Sequence, residues 1–303
     1  MKKNLLFGIL LFGILTVSAQ TITIEKSYRL LDEGRTGFFP LFNTAGNFLI
    51  FTGDGYAGLN VFDFSNGTII PVTDELSAGF NPVFTDDGRV FFRYTVHRDR
   101  LRFDGVRSFD LRTRTTLDVI EPQRNLMALQ SVGNSVMVAV DDNRLLRATA
   151  RRSSATTNKP YVWSNMQNLN IHHNGQSRRL NPVDGANGYI WVSLSPNGKM
   201  ILFTAVGRGT YVSDLDGNII TSFDHLSAPV WFGNKFVVGM IDKDDGHVIT
   251  GSSILMKSLD GRVSKTLSPP NQIAMYPAAS GAANKVAYVT DNGIIYILEL
   301  SIR

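Results

Sequence analysis

The stretch SPNGKMILFTA, from Ser195 to Ala205, joins a tight turn to an apolar run. Consecutive Pro, Asn and Gly favour a turn. Side chains point alternately to the two faces of a strand, and the run from Met200 to Ala205 has apolar residues on both faces. A strand needs this when its sheet is covered on both sides. The stretch therefore predicts a short strand inside a stack of packed sheets.

Five further stretches repeat this combination of turn and strand. A second module of alternating apolar residues, broken by Gly or polar turns, follows the first in each unit. Four short strands in about 40 to 50 residues is the period of a propeller blade. We therefore predict an all-β fold, a six-bladed β-propeller of four-stranded antiparallel blades. The five stretches are TAGNFLIFTG from Thr44, TDDGRVFFRY from Thr85, SVGNSVMVAV from Ser131, WFGNKFVVGM from Trp231 and GAANKVAYVT from Gly281.

The predicted domain is a single propeller over residues 20–303. Its last unit, NGIIYILELS, stops after one strand, and the strand-like TITIEKSYRLLDEG at 21–34 belongs to no unit. We expect strand 21–34 to complete the last blade and close the ring, which removes an open sheet edge. The predicted blades cover approximately 38–78, 79–122, 123–187, 188–227, 228–271 and 272–301.

Ser195–Phe203 resembles the repeat S-P-D-G-K-x-I-x-F of the TolB-like six-bladed β-propellers, a PD40/WD40-like family, with Asn197 in place of Asp. Thr85–Val90 is a looser copy. The same repeat builds the propeller of prolyl-oligopeptidase-type peptidases, so the resemblance implies a fold and no particular activity. The chain shows no counterpart of the α/β domain of TolB or of the peptidases' hydrolase domain, and we expect a free-standing propeller.

The first 19 residues have the pattern of a cleavable signal peptide. Lys2 and Lys3 precede an apolar run from Leu5 to Val17, too short to span a bilayer, and small residues precede Gln20. We expect a periplasmic or secreted protein with no transmembrane segment after cleavage. The sequence contains no cysteine, so neither a lipid anchor through Cys nor a disulfide is available.

The sequence predicts no catalytic residue, metal ligand or cofactor. GDGYAG at Gly53–Gly58 matches the dinucleotide pattern, but the strand-like LNVFDF that follows favours a hairpin loop. No G-x-S-x-G motif occurs, and the neighbouring His172 and His173 point to opposite faces of a strand. Without Lys2 and Lys3 the formal charge falls from +4 to +2, which does not indicate nucleic-acid binding.

Binding is predicted on the rim formed by the loops between the second and third strands of each blade, because these loops vary in length. They range from the short VGRG and DNG to VHRDRLRFDG, DKDDGHVITG and a long segment from Asp141 to about Gln167, which contains Arg151 and Arg152. The leading hypothesis is a non-catalytic scaffold for a protein or peptide partner, with arginines orienting an acidic element. In the alternative, the arginines lie in a solvated, partly disordered polar loop and only confer solubility. A propeller lyase or hydrolase acting on an extracellular glycan and a purely structural envelope module also stay open, and the sequence does not indicate the oligomeric state. The candidate rim residues are Tyr56, Arg98, Arg100, Arg102, Arg144, Arg147, Tyr161, Trp163, Arg208, Asp242 and Asp244.

Overall fold

The computed structural model describes residues 20–141, 144–150 and 159–303 of the chain. These residues form 26 β-strands in seven antiparallel sheets, and their single helical segment is a short 3-10 turn at Asp54–Tyr56. No helix in these ranges is long and apolar enough to cross a bilayer. The predicted signal peptide at 1–19 lies outside the described residues.

The sheets follow one another along the chain, and we call them blades 1 to 7. Blade 1 contains β2 (Phe38–Phe42), β3 (Phe48–Thr52), β4 (Leu59–Asp63) and β5 (Thr68–Thr73). Blade 2 contains β6 (Val83–Phe84), β7 (Arg89–Arg98), β8 (Leu101–Asp110) and β9 (Thr116–Gln123). Blade 3 contains β10 (Gln130–Val132), β11 (Ser135–Val140) and β12 (Arg144–Thr149). Blade 4 contains β13 (Tyr161–Ser164), β14 (Leu169–His173) and β15 (Gln176–Arg179).

The remaining blades have four strands each. Blade 5 contains β16 (Tyr189–Leu194), β17 (Met200–Ala205), β18 (Gly209–Asp214) and β19 (Ile219–Phe223). Blade 6 contains β20 (Ser227–Phe232), β21 (Phe236–Asp244), β22 (Ile249–Ser258) and β23 (Ser264–Thr266). Blade 7 contains β24 (Ala274–Ser280), β25 (Lys285–Thr290), β26 (Ile295–Ile302) and, from the other end of the chain, β1 (Ile22–Arg29).

The ring is closed by the two ends of the chain. β1 pairs antiparallel with β26, with Ile22 opposite Ile302 and Thr23 opposite Ser301. Thr21 and Arg303 exchange backbone hydrogen bonds of 2.8 and 3.0 Å. The predicted completion of the last blade by the N-terminal strand is confirmed.

The predicted number of blades is wrong, because the ring has seven sheets and not six. The predicted third blade, 123–187, contains both blade 3 and blade 4. The segment from Asp141 to Gln167, predicted as one long loop, contains β12 and β13. These two strands belong to different sheets, so the chain passes from one blade to the next within the supposed loop.

Blade 4 differs from its neighbours in strand direction. Pro160, just before β13, lies beside Gly198 in the turn after β16. A Cβ atom added to Gly198 would lie 3.9 Å from the Pro160 Cδ. At the other end of β13, Ser164 Oγ donates to the carbonyl of Tyr189, the first residue of β16. β13 therefore runs opposite to β16. Elsewhere, the turns after β20 and β24 lie side by side at Gly233 and Gly281, so these two strands run in the same direction.

An apolar cluster fills each junction between adjacent blades. Leu49 and Phe51 of β3 pack against blade 7, whereas Ile50 between them packs against blade 2. The strand is apolar on both faces because each face contacts a neighbouring sheet. The smallest cluster lies between blades 3 and 4, where Tyr161 and Trp163 pack on Ala139. Burial between the blades therefore holds the ring together.

Candidate functional site

A cavity of about 500 Å³ lies on the axis of the ring. Its lining comes from the inner strands of blades 1, 2, 3, 5, 6 and 7 and from the loops above them. No described residue of blade 4, the blade with the reversed strand, lines this cavity. The cavity meets the rim of the loops between second and third strands, because Tyr56 of the β3–β4 loop lines it.

The inner strands share an unusual backbone conformation at the cavity wall. Five residues that line the cavity have φ between 46° and 53°, although none is glycine. In four of the five cases a proline follows, which restricts the preceding residue further. Backbone strain of this kind is often found at functional sites. They are Phe39, Asn81, Trp191, Ala228 and Tyr276.

The strain coincides with irregular strand pairing. The register of β2 against β3 shifts between Phe38 and Leu41, and that of β24 against β25 shifts between Met275 and Ala278. Matching shifts occur in blades 5 and 6. An irregularity of this kind turns a side chain away from the regular alternation. Here it coincides with the entry of Phe39, Trp191, Ala228 and Tyr276 into the cavity wall.

Four aromatic side chains meet on one side of the cavity mouth. The rings of Phe39 and Tyr56 stack with centroids 4.1 Å apart. Tyr276 lies 4.9 Å from Phe39, and Phe80 meets Tyr56 edge-on at 5.5 Å. We call these four residues the aromatic cluster. Trp191, on blade 5, lines the same cavity and is 42% exposed, and Phe80 is 41% exposed.

The described residues that line the cavity carry no charge, because none of them is Asp, Glu, Lys, Arg or His. Its polar groups include the Asn81 amide, the Ser193 hydroxyl and the phenols of Tyr56 and Tyr276. Burial, and then the nearby Tyr276, raise the pKa of Tyr56 above its ordinary value, so the phenol stays neutral at physiological pH. This lining suits an apolar or aromatic group with few polar atoms.

Arg93 supports the wall of the cavity from behind. Its buried guanidinium donates to the carbonyl of Leu126 at 2.7 Å and to that of Met127, and it lies 5.4 Å from the Phe80 ring centroid. Ala128, which follows Met127 in the chain, lines the cavity. Burial lowers the pKa of Arg93 to about 10, so the side chain remains charged at neutral pH.

Among the predicted rim residues, Tyr56 alone lines the cavity. Arg98, Arg100 and Arg102 lie at the end of the β7–β8 hairpin, where the predicted loop is reduced to a turn of Asp99 and Arg100. Arg98 stacks on Phe103 of its own hairpin at 5.7 Å, and Arg102 pairs with Asp104 at 3.0 Å. Arg100 has no ion-pair partner within the described part of the chain.

The other predicted residues are scattered around the ring. Arg144 and Arg147 lie on β12, where Arg144 donates to Gln123 and Arg147 to the Ser135 hydroxyl. Arg208 donates to the Gly185 carbonyl at 3.1 Å, and Asp242 and Asp244 lie on β21. Gln123 pairs in the sheet with Asp104, the ion-pair partner of Arg102, so Arg144 lies close to the β7–β8 hairpin. Arg208 lies on blade 5, away from this group.

Tyr161 and Trp163 are buried in β13 at 1% and 2% exposure. The Tyr161 hydroxyl donates to the Ala128 carbonyl and accepts from the Ala139 amide, so it joins blade 4 to blade 3. Both side chains pack the interior of the ring. Arg151 and Arg152, in the same predicted loop, lie outside the described residues.

Sequence reasoning missed Phe39, Phe80, Trp191 and Tyr276. A signal was present in four X-Pro pairs, Phe39-Pro40, Asn81-Pro82, Ala228-Pro229 and Tyr276-Pro277, each a few residues before one of the repeated turns. No three His, Asp or Glu side chains in the described ranges are grouped closely enough to hold a metal ion.

Comparison with solved structures finds β-propellers. TolB from Acinetobacter baumannii is 16% identical with a TM-score of 0.54, and the match covers 82% of this chain and 58% of that one. The β-propeller domain of Myceliophteria thermophila Cps50 (Swd1) is 11% identical with a TM-score of 0.60, covering 93% and 100%. A chain of the Mitotic Checkpoint Complex is 11% identical with a TM-score of 0.58, covering 98% and 99%.

Because the sequence identities are low, these structural similarities show the propeller fold and nothing more. The chain spans a little over half of the TolB structure that it matches. No family model and no curated protein matches the sequence.

Proposed function

We propose that this chain is an exported, non-catalytic propeller scaffold that binds a protein or peptide partner in the periplasm or cell envelope through the mouth of the axial cavity. The observation that carries the proposal is the uncharged, aromatic lining of that mouth. Export rests on the sequence of residues 1–19, and the partner on the chemistry of the cavity.

The exposed aromatic side chains favour a macromolecular partner. Phe80 and Trp191 leave about two fifths of their surface in water, although large aromatic residues gain most from burial. Aromatic side chains beside a pocket are the residues that commonly dominate protein interfaces. One structural neighbour is itself a chain of a multiprotein assembly, the Mitotic Checkpoint Complex. A partner that covers Phe80 and Trp191 would remove this apolar surface from water.

The β7–β8 hairpin adds a second contact to this proposal. It lies on the same rim as Tyr56, because both turns connect the second and third strands of a blade. Arg98 and Arg100 at its end would orient an acidic element of the partner. Such a contact would weaken as the salt concentration rises.

The glycan-cleaving alternative needs two carboxyl groups facing the substrate. The described cavity lining contains none, so no feature of the cavity favours that reaction. The structural-module alternative would need a broad apolar patch in place of a cavity, whereas Trp191 lines a cavity and Phe80 contacts Tyr56 in its wall.

Site-specific crosslinking tests the proposal. A photo-crosslinking residue at Phe80 should capture a specific partner from the native envelope, whereas the same residue at Ile220, 50% exposed on β19, should not. The double variant Phe80→Ala/Trp191→Ala should then bind the purified partner at least about tenfold more weakly. Ile219→Ala/Ile220→Ala, a pair of similar exposure, is the matched control.

Two results would count against the proposal. Unchanged affinity of the Phe80→Ala/Trp191→Ala variant would remove the cavity mouth from the binding surface. Unchanged affinity and salt dependence in Arg98→Glu/Arg100→Glu would remove the acidic contact and leave the apolar one in place.

A further inference from the structure

The aromatic cluster already contains a side chain supplied by a loop. Phe39, Phe80 and Tyr276 belong to the inner strand of a blade or to the connection before it, whereas Tyr56 comes from the GDGYAG loop between β3 and β4. The Tyr56 ring is stacked on Phe39 at 4.1 Å and meets Phe80 edge-on. Tyr56 therefore occupies a place on Phe39 that another aromatic ring could take.

The loop is rich in glycine, and two backbone hydrogen bonds join it to the rest of the chain. Gly55 and Gly58 have φ of 62° and 67°, and Gly53 begins the loop. Tyr56 has φ of 65°, a conformation that is strained for a residue with a side chain. The Gly79 amide donates to the Tyr56 carbonyl at 3.1 Å, and Gly58 donates to Glu75 at 2.9 Å at the base of the loop. Two further backbone hydrogen bonds, from Gly53 to Ala57 and from Ala57 to Asp54, lie within the loop and would move with it.

A recess lies on the outer side of the same loop. Gly53, Ala57 and Gly58 line it together with Asn60 and residues 71–74, and its volume is about 510 Å³. Tyr56 lines the axial cavity instead. The loop is thus a thin wall between two cavities, and the recess gives it room to swing outward.

We infer that the GDGYAG loop is a lid, and that Tyr56 holds the place of an aromatic side chain of the binding partner until that side chain displaces it toward the outer recess. This inference rests on the proposed function and names the chemistry of the partner. The incoming group is aromatic because it would stack on the Phe39 ring beside the rings of Phe80 and Tyr276. Contacts between aromatic rings stabilise a complex by more than the burial of apolar area alone. It is uncharged because the described lining carries no charge to pair with.

The test uses p-cresol, the tyrosine side chain as a free molecule, as the probe. The full chain is labelled with 3-fluorotyrosine, and the ¹⁹F signal of residue 56 is assigned by its loss in Tyr56→Phe. Titration with p-cresol should move this signal from its ring-stacked position to that of an exposed fluorotyrosine. The aliphatic 4-methylcyclohexanol, similar in size, should leave the signal in place.

Variants separate displacement from binding elsewhere. Tyr56→Gly should bind p-cresol up to about tenfold more tightly than the wild-type chain, since no internal ring has to leave. Phe39→Ala should lose the response. Phe64→Ala should keep it, because Phe64 stacks on Phe42 in the same blade and does not line the cavity.

Binding of p-cresol without movement of the Tyr56 signal would overturn the lid. Equal affinity of Tyr56→Gly and the wild-type chain would do the same. Either result could still accompany efficient crosslinking at Phe80, in which case a partner binds at the mouth with the loop closed. Failure of the lid is therefore distinguishable from failure of the proposed function.

Discussion

Arg93 is the residue on which the geometry of the cavity wall most depends. It is 2% exposed, yet its charge is retained because two carbonyl groups accept from it and Asp104 lies 3.9 Å away. The carbonyls belong to Leu126 and Met127, in the connection that leads from blade 2 into blade 3. A single buried cation therefore fixes two neighbouring blades to each other.

Replacing this cation should destabilise the ring. Arg93→Met keeps much of the side-chain volume but leaves two buried carbonyls without their donor, and we expect the free energy of unfolding to fall by about 2 to 4 kcal/mol. Urea denaturation followed by circular dichroism measures the change. Arg102→Ala is the control, because Arg102 also pairs with Asp104 but is 52% exposed and should cost at most about 1 kcal/mol. Equal losses in the two variants would contradict the role of Arg93 as a buried tie.

At the scale of elements, three blades end their third strand with the same aspartate. Asp63, Asp110 and Asp214 each accept a hydrogen bond from the backbone amide two residues ahead. A side chain that accepts in this way stabilises the turn into the fourth strand. The alternating sequence around these turns allowed the hairpins to be predicted.

Asp214 gives this turn a pH dependence. The Asn218 side chain donates to the Asp214 carboxylate and lowers its pKa below the ordinary value of 3.8. Partial burial opposes this shift, and hydrogen bonds from backbone amides, including that of Asn218, add to it. A lowered carboxyl pKa adds stability that is fully present above this value and is lost as the pH falls through the lowered pKa. Asp214→Asn should therefore be less stable than the wild-type chain at pH 7, and the difference should shrink toward pH 3.

Urea midpoints at the two pH values measure this effect. Asp224→Asn, a change at an exposed aspartate after β19, should leave the midpoint nearly unchanged at both. A difference between Asp214→Asn and the wild-type chain that stays constant with pH would show that ionisation of Asp214 does not stabilise the turn.

The repeated turn and strand identified six sheets from sequence because each of them begins with an inner strand, a tight turn and a strand apolar on both faces. Blade 4 begins differently. Its β13 runs opposite to β16, and Ser164 at its end leads into the polar turn of residues 165–168 rather than into a copy of the repeated turn. Blade 4 lacks the repeated turn and strand, so a prediction based on that repeat could not detect it and assigned its residues to the third blade.

The site was less predictable than the fold. Tyr56 could be named from sequence because the order of the strands identifies the loops on the rim that borders the cavity. Regular alternation along a strand would assign Phe39, Trp191 and Tyr276 to the junctions between blades, so sequence reasoning missed them. The positive φ values that bring these side chains to the cavity depend on packing around the axis of the ring. Arginine composition pointed to the hairpin of blade 2 and to β12, which the ring places on different blades.

At the scale of the whole molecule, the first and last strands convert a row of sheets into a ring. Ile22 of β1 packs in the same apolar cluster as Leu298 and Leu300 of β26, so the closing pair contributes core as well as hydrogen bonds. Because no cysteine occurs in the sequence, an introduced pair can form a disulfide without competing thiols. The closing pair can therefore be tested by a crosslink across it.

The double variant Thr23→Cys/Ser301→Cys places two thiols on directly opposed residues of β1 and β26. Such residues lie about 5.5 Å apart at Cα, within the range that a disulfide spans. Oxidation should raise the free energy of unfolding by up to about 4 kcal/mol, because the bond closes nearly the whole chain into one loop in the unfolded state. Reduction should return the midpoint to the wild-type value, which makes the reduced protein its own control. A bond that fails to form under mild oxidation would mean that the ring is open in solution, with β26 exposed as a sheet edge.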